Sequence, residues 1–244
     1  MAINKVALIT GSSHRLGAAT AQALHEAGMN LVLHYRTSRD AAHKLQKELN
    51  DKRKDSVVLV QADLLSMNAL PALIKESYTA WGQLDALINN ASTFYRTPIG
   101  TATEKQWDDL FGSNAKAPFF LSQAAAPHLK KAQGCIVNMI DIHAERPLKE
   151  HTIYCMAKAS LAMLTKSLAR ELGPEVRVNG VAPGAIMWPD ELDDVTKQRI
   201  LNRTFLKRKG EPVDIASTIR FLILDAPYIT GQIISVCGGR SLHS

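Results

Sequence analysis

Tyr154 and Lys158 stand four residues apart within a helical pattern that runs over Thr152–Leu172, so one helix face carries both. A lysine ammonium about 4–5 Å from a phenol, at an effective dielectric of ~20, stabilises the phenolate by about 3–4 kcal/mol. That would lower a phenol pKa of about 10 by roughly two to three units, and a tyrosine tuned in this way is a general acid. A second set of residues is the loop Thr10-Gly11-Ser12-Ser13-His14-Arg15-Leu16-Gly17, which follows an apolar run and opens a helical one. Gly11 suits a tight turn and Gly17 a close helix–strand approach, which leaves the free N–H groups of a helix start facing a pyrophosphate. Without a ligand the same residues would form an ordinary turn. Arg15 could pair bidentately with phosphate oxygens, at a position where the helix dipole disfavours a cation unless a ligand compensates. A third set is His34-Tyr35-Arg36-Thr37-Ser38, which offers a guanidinium and two hydroxyls and no carboxylate until Asp40. These groups suit a ribose 2′-phosphate and therefore NADPH; an NAD site would hold an acidic residue here.

Elements of two kinds must position these groups. Strands are expected at Val6–Thr10, Asn30–Tyr35, Val57–Gln61, Ala86–Asn89, Cys135–Met139, Arg177–Val181 and Gln232–Val236. Helices are expected near Gly17–Ala27, Arg39–Asn50, Met67–Trp81, Glu104–Leu129, Thr152–Leu172 and Pro212–Leu224, with Pro127 breaking the alanine-rich one. Most of the strand runs are continuously apolar rather than alternating, as expected of strands covered on both faces. The alternation implies an α/β, single-domain, Rossmann-type fold: a doubly wound, seven-stranded parallel sheet with helices on both faces. One domain spans 1–244. The irregular stretch 185–211 follows a strand end and is expected to cover the ligand crevice.

The chain has 244 residues, 29 Lys+Arg against 23 Asp+Glu, a net charge of +6, 46% hydrophobic and 21% charged residues. That balance excludes wholesale disorder, and no apolar run approaches the ~20 residues of a membrane span. The apolar part of Met1–Thr10 is too short for a secretory signal. Cys135, Cys155 and Cys237 lie far apart in apolar contexts, which suits core residues in a reducing, cytoplasmic setting. No histidine pair has metal-ligand spacing, so no metal is expected; His143 and His151 flank the active-site loop and could touch substrate, but a surface role is favoured. The basic runs Lys52-Arg53-Lys54 and Lys207-Arg208-Lys209 lack interleaved aromatics, which argues against nucleic acid.

The glycine loop, the Asn89-Asn90-Ala91 segment and the YxxxK pair resemble the short-chain dehydrogenase/reductase family, with two departures. Arg15 stands where that family has glycine. Asp141 stands thirteen residues before Tyr154, where the family usually has a serine that bonds a carbonyl substrate. An ionised aspartate only accepts hydrogen bonds, so it suits an amidine-like N–C–NH2 edge, or a proton relay with Tyr154 to a ring nitrogen. The preferred substrate moves from C=O towards C=N. With Asn90-Ala91-Ser92-Thr93-Phe94-Tyr95, these departures resemble the pteridine reductase branch over nearly the whole chain.

That resemblance implies NADPH held by Gly11, Ser13, His14, Arg15, Leu16, Gly17, His34, Tyr35, Arg36, Ser38, Asp63, Leu64, Asn90, Ala91, Ser92, Tyr154, Lys158, Pro183 and Gly184. Asp63 would face the adenine amino group, although by position alone it could cap a turn. A pterin or folate substrate would meet Arg15, Ser92, Phe94, Asp141, Tyr154 and Trp188, with Phe94 stacked on the ring. Asn114 would support a proton path to Lys158, and a homotetramer would form partly on the helices at 104–129 and 152–172. A carbonyl reductase of the 3-oxoacyl-carrier-protein type would instead carry serine at 141 and glycine at 15. A non-enzymatic nucleotide sensor would tolerate loss of Tyr154 or Lys158, and both are present. Part of the +6 then has a use, because Arg15, Arg36 and Lys158 would converge on a cofactor of about −3 to −4.

Overall fold

A computed structural model of the chain describes residues 5–188 and 192–242. Seven parallel strands form one sheet: β1 Val6–Ile9, β2 Asn30–Tyr35, β3 Val57–Gln61, β4 Ala86–Asn89, β5 Cys135–Met139, β6 Arg177–Pro183 and β7 Ile233–Val236. Their spatial order is β3-β2-β1-β4-β5-β6-β7, so the direction of winding reverses between β1 and β4. Alternate residues of each strand feed opposite cores. Ala7, Ile9, Leu31, Leu33, Ile88 and Val137 join one cluster, whereas Val6, Leu8, Val32, Leu87 and Ile136 join the other. The continuous apolar runs therefore serve two covered faces, as expected.

Helices α1 (Arg15–Glu26) and α8 (Pro212–Leu224) cover the first face through Ala21, Leu24, Ile215, Ile219 and Leu222, and α2 (Arg39–Lys52) adds Leu45 and Leu49. The second face is covered by α3 (Ala69–Thr79) and α5 (Ala117–Ala132), through Leu70, Leu73, Ile74, Leu121, Ala125 and Leu129. Helix α6 (Thr152–Leu172) packs beside β6 and adds Leu168. The cysteines Cys135, Cys155 and Cys237 are free and buried.

Three expectations need correction. The helix expected over 104–129 is α4 (Glu104–Phe111), a π turn (Gly112–Lys116) and then α5. A π turn inserts an extra residue into the helical ladder and is a frequent device at functional sites. Pro127 lies inside α5 and does not break it. Burial of Leu121, Ala125 and Leu129 on one stripe carries the helix past the missing hydrogen bond. The stretch 185–211 is not wholly irregular, since α7 (Asp194–Asn202) starts where Asp193 accepts a hydrogen bond from Thr196 N–H at 2.8 Å. Residues 189–191 of that stretch lie outside the described residues.

Gly17 sits where α1 crosses the end of β1. A β-carbon there would press on the Gly11 carbonyl and come within 2.7 Å of Asn90 Nδ2. Because the first obstacle is backbone, Gly17→Ala should cost about 1–3 kcal/mol. Urea denaturation checks this, and an unchanged midpoint contradicts the close approach.

Candidate active site

The C-terminal ends of β1 and β4 meet at the point where the sheet reverses, the place at which open α/β sheets bind ligands. The loop after β1 is held from three sides. Gly11 takes a φ of +61°, and an added β-carbon would lie 2.9 Å from Ala91 Cα. Asn90 donates from Nδ2 to Thr10 O at 2.8 Å and Gly11 O at 3.0 Å. Thr10 Oγ1 in turn accepts from the N–H groups of Asn90 and Ala91, each at 3.0 Å. Gly11 N–H donates to His34 Nδ1 at 3.1 Å, so the opposite nitrogen, Nε2, carries the proton and donates to Ala62 O at 3.1 Å. Burial lowers the His34 pKa, which keeps this strut neutral. Both nitrogens are thus committed to loop geometry.

The start of α1 remains open. His14 stands at the N-cap without a side-chain cap bond, and the first turn carries no acidic residue. Its uncapped amides and dipole therefore suit an anion. Arg15 is exposed with a φ of +51°, a conformation that costs an ordinary side chain on the order of 1 kcal/mol. Ser13 and Leu16 are half-buried beside it. Arg36 is exposed at the end of β2, and Ser38 begins α2 with no cap bond of its own. Tyr35 and Leu64 turn into the core. Exposed Asp63 does cap a turn, accepting from Leu65 N–H at 3.0 Å through Oδ1. The glycine cradle, the open helix start and the Arg36–Ser38 pair fit a phosphate-rich dinucleotide.

Across the reversal point the reactive group is assembled. Asp141 leaves β5 and divides its carboxylate: Oδ1 accepts from His143 N–H at 2.8 Å, and Oδ2 accepts from the Tyr154 hydroxyl at 2.8 Å. Lys158 is 2% exposed, donates to Met139 O at 2.9 Å and holds its nitrogen 5.7 Å from the Tyr154 ring centre. Ser92 donates to Asn114 Oδ1 at 2.6 Å, while Asn114 Nδ2 donates to Thr93 O at 3.0 Å and Leu110 O at 2.9 Å. The π turn therefore anchors the loop after β4. Phe94 is 51% exposed, meets Tyr154 edge-on at 4.8 Å and stacks on His151 at 4.7 Å.

The expected lowering of the Tyr154 pKa is overturned. Burial pushes the phenol above its ordinary value of 10, and the Asp141 carboxylate pushes it further, by charge and by accepting its proton; the Ser92 hydroxyl opposes them. Lys158 fails to win because Asp141 is in direct contact and the ammonium is turned to Met139 O. Lys158 is itself drawn down to about 8 by burial, against a smaller upward pull from Asp141.

Two residues beside this group were not fully foreseen. His151, read as a surface group, is buried under Phe94 with Nδ1 against Lys149 O at 2.8 Å. Its place just before a helix bearing the reactive pair was the available signal. Arg240 lies within the field of Asp141, and only its neighbourhood to the Gly238-Gly239 turn marked it. Among the described residues, no hydrogen bond or ring contact joins half-buried Trp188 to the group. Pro183 ends β6, and Gly184 N–H donates to Val236 O at 3.0 Å.

A family model described as enoyl-(acyl carrier protein) reductase matches residues 11–241. Pteridine reductase 1 of Leishmania tarentolae is 37% identical over 278 residues, covering 97% of this chain and 96% of its own. A 3-oxoacyl-acyl-carrier-protein reductase of Staphylococcus aureus is 37% identical over 244 residues, covering 98% and 99%. A (2S)-((R)-hydroxy(phenyl)methyl)succinyl-CoA dehydrogenase subunit of Thauera aromatica is 36% identical over 249 residues, covering 99% and 98%.

The buried Lys158 makes a pH prediction. Its folded pKa, about 8, lies below the ordinary 10.5, so the unfolded chain binds more protons between these values and stability rises with pH across that window. Lys158→Met removes this dependence. In urea melts from neutral pH upward, any stability advantage of the variant should be greatest below about 8 and shrink towards 10.5. A pH-independent difference contradicts the burial of an ammonium here.

Proposed function

As a member of the short-chain dehydrogenase/reductase family, an oxidoreductase family, the chain acts, we propose, as an NADPH-dependent pteridine reductase that adds hydride and a proton across a pterin C=N bond. The observation that carries this reading is the Tyr154–Asp141 hydrogen bond of 2.8 Å beside the half-exposed Phe94 ring. A carbonyl oxygen approaching Tyr154 would face an acceptor at Asp141, whereas a ring N–H finds a partner there. Phe94 offers a face to a flat heteroaromatic, worth about 0.5–1.5 kcal/mol beyond burial. The relatives named above include both a pteridine reductase and a 3-oxoacyl reductase at 37% identity, so the choice rests on these side chains.

The nicotinamide, when bound, would supply the hydride. The chain's own groups manage substrate and proton. A substrate N–H that bonds Asp141 Oδ2 would free the Tyr154 O–H to turn to the adjacent ring nitrogen and weaken the carboxylate's hold on that proton. Lys158 would hold the nicotinamide ribose, and Ser92 would bridge substrate and phosphate. Asn114 steadies Ser92. Arg36 and Ser38 would take the 2′-phosphate, and Arg15 the pyrophosphate and the pterin edge. Asp63 keeps one carboxylate oxygen for an adenine amino group. Exposed Phe119, Met156 and Met163 support the use of α5 and α6 in a homotetramer. The covering segment 185–211, with Trp188, would close over the ring. No helix among the described residues is long and apolar enough to cross a membrane.

A second reading is reduction of a 3-oxoacyl thioester, which the Staphylococcus relative favours. NADPH oxidation with dihydrobiopterin, dihydrofolate and an acetoacetyl thioester separates the two. Turnover of a dihydropterin, with a lower Michaelis constant for NADPH than for NADH, is expected; activity on the thioester alone overturns the reading. Asp141→Ser should lower dihydropterin kcat/KM by about 10²-fold or more, the scale of a lost proton-transfer group.

A further inference from the structure

The ends of β5, β6 and β7 lie side by side, which brings Asp141, Gly184 and the turn after β7 to one rim of the crevice. Gly184 is closed against Cys237, where a β-carbon would lie 2.6 Å from the cysteine β-carbon. Arg240 N–H donates to Cys237 O at 3.1 Å and Leu242 N–H to Gly239 O at 3.0 Å, so the chain curls back over the strand ends. The segment after α7 is fastened to that curl. Leu206 N–H donates to Gly238 O at 3.1 Å, the Thr204 methyl abuts Gly238, and the Phe205 ring abuts Gly239.

These contacts make Arg203 and Arg240 neighbours, each adjoining a residue of the fastening. Burial lowers the Arg240 pKa, the Asp141 charge raises it and the Arg203 charge lowers it, so the two cations feel each other. Among the described residues, no hydrogen bond or ion pair holds either guanidinium. Arg199, one turn before Arg203 on α7, extends the positive rim. Adjacent guanidiniums that no hydrogen bond or ion pair holds are a costly arrangement that a bound anion relieves.

We propose that Arg240 and Arg203 form a clamp for an anionic substituent on the pterin, so that the enzyme favours pterins with a carboxylate or phosphate tail over neutral ones. This rests on the pteridine reading given above. The C=N bond to be reduced lies in the ring that carries the substituent. Setting its nitrogen at Tyr154 therefore directs the substituent along the Asp141 side to the rim where the arginines stand.

Steady-state kinetics test the clamp with three substrates: dihydrofolate, a dihydropterin phosphate ester and neutral dihydrobiopterin. Arg240→Ala should raise KM for the anionic substrates about tenfold more than KM for dihydrobiopterin. Arg203→Ala should act in the same direction, and Arg240→Lys should restore part of the loss. An effect confined to dihydrofolate assigns a glutamyl carboxylate, and one confined to the ester assigns a phosphate. Equal losses on all three substrates, or no change on any, overturn the clamp while leaving the pteridine reading intact. A wild-type enzyme that reduces none of the three removes both.

Discussion

The hydrogen bond from the Tyr154 hydroxyl to Asp141 Oδ2 sets the terms for the rest of the site. It joins the end of β5 to the first turn of α6 across the short loop between them, so that loop must place both groups for it to form. Together with burial, the larger cause, it raises the phenol pKa and keeps the proton on Tyr154. It also explains why the lysine four residues on does not produce a phenolate: a carboxylate in contact outweighs an ammonium turned to a backbone carbonyl. In the function proposed above, chemistry at this site would depend on what bonds Asp141, which would make the aspartate a reader of substrate type.

The scaffold places its compromises around that bond. Lys158 is buried with its charge opposed by desolvation, and Arg15 holds a left-handed backbone. Asn89 binds Asn138 at 2.8 Å, yet its Oδ1 is buried without a partner. All three lie at or near the C-terminal edge of the sheet, while the cores beneath consist of ordinary apolar packing. A fold stable on both faces can tolerate such costs at one edge, where the proposed ligand binding and proton transfer would use them.

Much of this was legible in the residues. The strand–helix alternation carried the whole sheet because most strands are short, largely apolar runs, a pattern that two covered faces explain. The glycine loop and the Tyr154–Lys158 pair stood out because their types and spacing are chemical statements in themselves, and Asp141 stood out as a departure from the pattern of the family that the chain resembles. Three things were hidden. The π turn leaves no periodic trace, since one extra residue in a long apolar helix shifts its stripe only slightly. The burial of His151 depends on Phe94 folding over it from a distant loop. The sign of the Tyr154 shift needed a distance, because Lys158 and Asp141 pull in opposite directions and spacing alone cannot rank them.

Titration of the Tyr154 phenol tests the central claim most directly. Ultraviolet difference spectra of the wild-type chain and the Asp141→Asn variant, each with a Tyr154→Phe counterpart as blank, isolate this one tyrosine. In the wild type Tyr154 should stay protonated beyond the ordinary phenol value of 10, and in Asp141→Asn it should ionise at lower pH. A wild-type phenol that ionises near neutrality, or one that Asp141→Asn leaves unmoved, would contradict the claim that Asp141 holds the proton.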